Sequence, residues 1–154
     1  MMKKLLILCV CAVLCIGCNR PSKAEQYKAD KHLRDSVALI DQQRTLTYFQ
    51  AQLDSLLPVS DSLLHFFKYE RNEKYQDHGN YVLNGKNGLR ILVRDDGKEL
   101  LLYQNGKRIE HSDDPKTETA RHMQIVISDI KELEKRIART SLEVQKYQKR
   151  LQKQ

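Results

Sequence analysis

Apolar residues recur with a seven-residue period along the last third of the chain, a spacing typical of a helix that buries one narrow seam. Asp114 followed by Pro115 suits the N-cap and first turn of such a helix, so the pattern predicts a helix over residues 115–152. The seam fits a partner helix in the same chain or in another chain, and the period alone leaves both open. The two heptad core positions hold Met123, Ile130, Ile137, Val144 and Leu151, and Val126, Leu133, Thr140 and Tyr147.

A second helix is predicted over residues 22–57, where no glycine or proline interrupts the chain. Ser22 and Glu25 have the spacing of a capping box, and Pro58 is expected to end the helix. The seam of this helix is apolar apart from Gln42. It is formed by Leu39, Leu46, Phe49, Leu53 and Leu56. Three earlier apolar residues lie on a rotated face of the helix: Leu33, Val37 and Ile40.

The spacing of apolar residues changes in the segment between the two predicted helices. Residues 60–79 predict a short helix to about residue 67, followed by an irregular segment. Turn signals then recur within residues 84–88, at Asp96-Gly97 and at Asn105-Gly106. They predict a β-meander over residues 80–110, with strands near residues 80–83, 89–94, 99–104 and 107–110.

Two-residue turns at Asp96-Gly97 and Asn105-Gly106 would set the register of the last three strands. One side of the sheet would pair Val93 with Leu100, Ile91 with Leu102 and Leu102 with Ile109, and the other would pair Arg94 with Glu99 and Tyr103 with Arg108. The two turns independently give the same apolar side. Such a small sheet needs cover, which the helix ends or the segment after Pro58 can provide.

Together these elements predict an α+β protein with two long antiparallel coiled-coil helices and a small antiparallel β-meander between them. Residues 18–154 would form a single elongated domain, with the meander as a head about 50 Å from the opposite end. An antiparallel pair returns the C-terminus to the start of the first helix. The basic residues Lys146, Lys149, Arg150 and Lys153 would then lie near Lys23, Lys28, Lys31 and Arg34. They would either contact anionic head groups or form a solvated flank of the coiled coil.

The N-terminus has the organisation of an export signal. Lys3 and Lys4 precede an apolar run over residues 5–14, which is too short to span a membrane and leads into Gly17-Cys18. A small residue before a cysteine at this place resembles the bacterial lipobox. The resemblance implies removal of residues 1–17, a lipid on the thiol of Cys18 and acylation of its new amine. An ordinary signal peptide cleaved elsewhere is the alternative.

All the cysteines lie in or at the end of this signal, at Cys9, Cys11, Cys15 and Cys18. The body of the exported chain therefore excludes a disulfide framework, a cysteine nucleophile and a thiolate metal site. Removal of residues 1–17 also lowers the formal net charge from +7 to +5, because Lys3 and Lys4 are lost. The exported protein is mildly basic, but export argues against nucleic acid as its partner.

The middle of the chain resembles small predicted lipoproteins of Bacteroidota. The resemblance lies in Glu73-Lys74-Tyr75, Gly79-Asn80-Tyr81-Val82, Leu89-Arg90 and Asp95-Asp96-Gly97, and it implies no particular activity. In that phylum, surface export is associated with acidic residues soon after the lipidated cysteine. Residues 19–23 contain none, which favours an anchor in the outer membrane that faces the periplasm.

Two groups of side chains are candidate sites. The predicted register places Tyr103 between Arg90 and Arg108 on the outer face of the meander, where guanidinium and aromatic groups can bind anions, sugars or a protein partner. Ordinary cross-strand pairing is the alternative. Glu118 and His122 have a spacing that can bring two metal ligands together, with His111, Asp113 and Asp114 nearby in sequence. Capping and solvation explain that group better, so no metal site, cofactor or catalytic residue is predicted.

These observations favour a non-enzymatic, lipid-anchored cell-envelope protein. Its coiled coil would act as a scaffold or as a protein-interaction module, with self-association through the heptad helix as one form. The second hypothesis is a binding module or inhibitor that recognises an envelope glycan or a hydrolase through the meander face. An enzyme is the least favoured class, because the sequence contains no nucleophile–base pair, phosphate-binding loop or metal-ligand pattern.

Overall fold

The computed structural model describes residues 22–71 and 78–153. Helix α1 covers Lys23–Leu64 and helix α2 covers Pro115–Gln152. The strands between them are β1 (Lys68–Arg71), β2 (Gly79–Asn84), β3 (Leu89–Arg94), β4 (Leu100–Gln104) and β5 (Lys107–Ile109). The α+β class predicted from the sequence is confirmed. The predicted signal, Cys18 and part of the irregular segment lie outside the described residues.

The chain divides into two compact units. One contains residues up to Asp41 together with Gln145–Gln154, and the other contains Gln42–Val144. We call them the terminal unit and the sheet unit. The sheet unit contains the whole β-sheet with the adjoining parts of both helices, so the two candidate groups around Tyr103 and Asp114 belong to it.

Helix α1 begins as predicted and ends later than predicted. The Ser22 amide donates to Glu25 Oε2 over 2.7 Å, and the Glu25 amide donates to Ser22 Oγ over 3.2 Å, which is a capping box. Pro58 lies inside the helix, so the expected stop at residue 57 and the separate helix after it are wrong. Proline removes one helical hydrogen bond, at a cost of about 3 kcal/mol. Continuation of the helix offsets this by packing Leu63 and Leu64 against the sheet core.

The sheet has the strand order β1-β2-β3-β4-β5, and each strand is antiparallel to its neighbours. All the cross-strand pairs predicted for β3, β4 and β5 are confirmed: Val93 with Leu100, Ile91 with Leu102, Leu102 with Ile109, Tyr103 with Arg108, and Arg94 with Glu99. Strand β1 was not predicted. It lies in the segment that the sequence left irregular, and its four residues are too few for a clear period-two pattern.

The two hairpin turns differ in type. Asn105 and Gly106 both have positive φ, 50° and 79°, as a two-residue type I′ turn requires. In the other turn the Gly97 amide donates to the Arg94 carbonyl over 2.9 Å, and Gly97 alone has positive φ. That turn is centred on Asp95 and Asp96, so its expected two-residue form is wrong although the register is the same.

One face of the sheet forms the core of the sheet unit. Leu89, Ile91, Val93 and Leu102 are 0–4% exposed, and they pack with buried residues of α2 and partly buried residues that end α1. The helical members of this cluster are Ala120, Met123, Ile127, Leu63 and Leu64, with Phe67 after the helix. Both long helices therefore cover the same face of the sheet, and this leaves the other face for the candidate site.

The heptad seam of α2 is turned towards protein along its length. Its core positions, from Met123 to Leu151, are all buried or partly buried. Within the sheet unit, the Arg136 guanidinium lies 5.8 Å from the centre of the Phe49 ring, so α1 and α2 are in contact there. Leu33, Val37 and Ile40 on the rotated face of α1 are 48–64% exposed. No helix within the described residues combines the length and the apolar character needed to span a membrane.

Candidate functional site

The outer face of the sheet carries the residues that the sequence marked as a partner or ligand surface. Arg90 pairs with Tyr103, and Tyr103 pairs with Arg108, so the three side chains form one row across β3, β4 and β5. Alternation along the strands places Leu92 and Leu101 on the same face. We call these five residues the outer-face row. Both leucines and Tyr103 are partly exposed, and the two arginines are exposed.

Arg90 is not a free cation. Its guanidinium forms a salt bridge with Glu70 of β1, and the bridge crosses β2 above Val82, which is 4% exposed. The pair therefore fixes the direction of the Arg90 side chain, while Arg108 remains at the exposed edge of the row. Within the described part of the chain, cation–π contacts join Arg136 to Phe49 and Arg150 to Tyr147, and none joins an arginine to Tyr103.

A shallow hollow of about 550 Å³ lies beside the row, between the outer face and the turns at one end of the strands. Arg90, Leu92 and Tyr103 line its strand side, and Gly85, Gly88 and Gly106 line its turn side. The amides of Gly85 and Lys86 in the β2–β3 turn already donate to the Leu89 carbonyl and to Asp114 Oδ2. A flat polar ligand or a partner side chain would therefore meet a ring, a guanidinium and the glycine backbone of the turns here.

The structure brings together a second cluster that sequence reasoning missed. The Asp95 carboxylate accepts hydrogen bonds from the Gly79 amide over 2.8 Å and from the Tyr69 hydroxyl over 3.2 Å. His78 Nδ1 lies 3.2 Å from the other Asp95 oxygen, and the Tyr81 ring is 5.3 Å from the Tyr69 ring. Tyr69 belongs to β1, the strand that was not predicted. The only signal for this strand in the sequence is the alternation of aromatic Phe67 and Tyr69 around Lys68.

This cluster borders a hollow of about 460 Å³ that is also lined by Lys98, Lys131 and Lys135. Burial and the Asp95 carboxylate raise the pKa of both Tyr69 and Tyr81, so both phenols are neutral at physiological pH. Three groups contact the Asp95 carboxylate: the Gly79 amide, the Tyr69 hydroxyl and His78 Nδ1. The cluster therefore ties β1 and β2 to the β3–β4 turn.

Four of the five residues weighed as metal ligands have other contacts, and the fifth, His122, is exposed on α2. Asp114 caps α2, because its Oδ1 accepts from the Lys116 amide over 2.9 Å, while its Oδ2 accepts from the Lys86 amide of the β2–β3 turn over 2.7 Å. Glu118 pairs with Arg121, and His111 lies 2.9 Å from Asp113. Within residues 22–71 and 78–153, no three His, Cys, Asp or Glu side chains are placed to hold a metal ion.

We expect Asp114→Asn to lower the melting temperature at pH 7 by about 5 °C, because one amide oxygen cannot serve both the helix cap and the turn. The Lys86 and Lys116 amides hold the pKa of the Asp114 carboxyl below its ordinary range. A lowered pKa stabilises the fold above the unfolded value of about 3.9, and this contribution is lost as the pH falls through the folded value. The difference between the wild type and the variant should therefore shrink below about pH 4 in thermal melts.

Asp113→Asn is the matched control, because the Asp113 side chain is 97% exposed and contacts His111, two residues earlier in the chain. It should leave the melting temperature unchanged at both pH values. Equal losses of melting temperature in the two variants would mean that negative charge near the N-terminus of α2 stabilises the fold, and not the hydrogen bond from Asp114 to the turn.

No protein-family model, curated protein or solved structure matches this chain.

Proposed function

We propose that this chain is a lipid-anchored cell-envelope protein without enzymatic activity, whose outer-face row binds a protein partner. One observation carries the proposal: both helices cover the same face of the sheet, while the opposite face presents Tyr103 and two leucines between two arginines. Tyrosine and arginine are among the residues enriched where proteins bind one another. The lipobox resemblance at Cys18 supports the anchor, in a membrane that faces the periplasm.

The helices are proposed to pair through their heptad seams as an antiparallel coiled coil, which makes them the scaffold of the protein. The burial of the α2 seam and the contact of Arg136 with Phe49 support this pairing. Self-association of the chain through α2 is the other use of the seam. Sedimentation of residues 19–154 separates the two, because internal pairing gives a monomer and shared seams give a dimer or larger species.

The test of the anchor is fractionation of cells that produce the full chain. Wild-type protein should remain in the membrane pellet after a wash in about 0.5 M salt, which screens electrostatic contacts. Cys18→Ala should be released by the same wash. Mass spectrometry of the wild-type protein should show diacylglycerol and an acyl chain on residue 18. Retention of both forms, with no lipid mass, would reject the anchor.

The test of the surface is crosslinking in native membranes with the triple variant Arg90→Ala, Tyr103→Ala, Arg108→Ala. A defined crosslinked species should form with the wild type and be lost in the variant, with unchanged helicity. The matched control removes two exposed cations and an exposed tyrosine from the helices of the sheet unit: Tyr48, Lys135 and Arg139. Loss of the species in both triple variants would contradict a role of the outer-face row.

A glycan is the second candidate ligand for this surface, and the hollow beside Tyr103 favours it. Sugar rings stack on tyrosine, and their hydroxyl groups can accept from a guanidinium. Purified envelope glycan added to the crosslinking reaction distinguishes the candidates. Competition by the glycan would assign the row to a sugar, whereas an unchanged protein crosslink supports the protein partner, including a hydrolase.

A further inference from the structure

The formal charge of the protein is segregated between its two units. The described part of the terminal unit contains eight Lys and Arg residues against four Asp and Glu residues, a net charge of +4. The described part of the sheet unit contains fifteen Lys and Arg residues against fourteen Asp and Glu residues, a net charge of +1. Most of the excess positive charge of the described fold therefore lies in the terminal unit, and it predicts an anionic partner for that unit.

The terminal unit gathers part of this charge around one hollow. Residues of the first turns of α1 and Lys153, just beyond the end of α2, line a space of about 600 Å³. Three of the lining residues are the lysines Lys28, Lys31 and Lys153, and His32 and the 64% exposed Tyr27 lie beside them. None of the described residues that line the hollow is acidic. Basic groups with an exposed tyrosine are suited to the polar surface of a bilayer, where phosphate oxygens accept hydrogen bonds.

The proposed lipid brings this surface close to a membrane. Cys18 precedes Ser22 by four residues, and four residues span at most about 14 Å even when fully extended. A lipid on Cys18 would therefore hold the first turn of α1 within that distance of the bilayer. Lys28 and Lys31 follow within the next turns of the same helix.

We infer that the terminal unit is a second membrane attachment site, in which Lys28, Lys31 and Lys153 bind the anionic head groups of the bilayer that the lipid enters. The inference rests on the proposed lipid anchor for its biological setting, but the binding itself needs no lipid on the protein. The occupant is a surface of many anionic head groups, because the basic residues are distributed over two helix ends and form no enclosed pocket.

The test uses the lipid-free chain of residues 19–154, which contains every described element. We expect it to sediment with vesicles of about 30 mol% phosphatidylglycerol in phosphatidylcholine, and not with pure phosphatidylcholine vesicles. The triple variant Lys28→Gln, Lys31→Gln, Lys153→Gln should bind the anionic vesicles about 10- to 100-fold more weakly. About 0.5 M salt should release the wild type, because exposed charges are screened at that ionic strength.

The matched control replaces three exposed lysines of the sheet unit, Lys86, Lys107 and Lys135, with glutamine. It makes the same change in net charge, so binding close to that of the wild type supports a local surface. An equal loss in the control, or no binding to anionic vesicles, would overturn the inference. Release by millimolar inorganic phosphate would also overturn it, in favour of a discrete phosphate site. Because the chain carries no lipid, failure here is independent of any failure of the Cys18 anchor.

Discussion

Gly97→Ala is expected to destabilise the sheet unit by about 2–5 kcal/mol, far more than the same substitution in the neighbouring hairpin turn. A Cβ at Gly97 would lie 2.5 Å from the Ser128 amide nitrogen and 2.8 Å from the Gln124 carbonyl oxygen. Both are backbone atoms of α2, which cannot move without disturbing the helix. The strain of alanine at a φ of 69° adds to this clash.

Gly106→Ala is the control that isolates the clash. Gly106 has a φ of 79°, but a Cβ there would meet nothing within 4 Å, so only the conformational strain of about 1–2 kcal/mol applies. Urea denaturation measures the free energy of unfolding of both alanine variants. Asparagine tolerates positive φ, so Gly106→Asn should be nearly neutral, while Gly97→Asn should still be strongly destabilised. Equal losses at the two turns would show that the β3–β4 turn does not pack against α2 as described.

Ile91→Ala is expected to lower the free energy of unfolding by about 2–5 kcal/mol, because it leaves a cavity in the centre of the core. Ile91 is 0% exposed and lies on β3, the middle strand of the sheet, between Leu83 and Leu102. The cluster around it includes side chains from both helices, so the cavity cannot close by movement of one element alone. The urea midpoint should fall with little change in the slope.

The adjacent residue provides the control, because Leu92 points to the opposite face of the same strand. Leu92 is partly exposed and lines the hollow beside Tyr103, so Leu92→Ala should destabilise the fold less. It should instead weaken the crosslink assigned to the outer-face row. If Leu92→Ala were the more destabilising of the two, the helices would have to cover the outer face.

The strand register was accessible from sequence because it depends on local chemistry. Two glycine-containing turns separated by a few residues permit only one alignment of β3, β4 and β5 that keeps their apolar residues on one side. The row of Arg90, Tyr103 and Arg108 follows from that alignment. The salt bridge between Arg90 and Glu70 could not be predicted in the same way. Glu70 belongs to β1, a strand of four residues whose position is set by its pairing with β2.

The N-caps of both helices, the hairpin register and the heptad stripe of α2 follow from the local sequence, since each depends on residues a few positions apart. Tertiary structure alone decided that α1 continues through Pro58, because the loss of one helical bond is offset only where Leu63 and Leu64 reach the sheet. It also decided that both helices cover the same sheet face and leave the other face open. These results depend on contacts between residues distant in sequence, which no local period encodes.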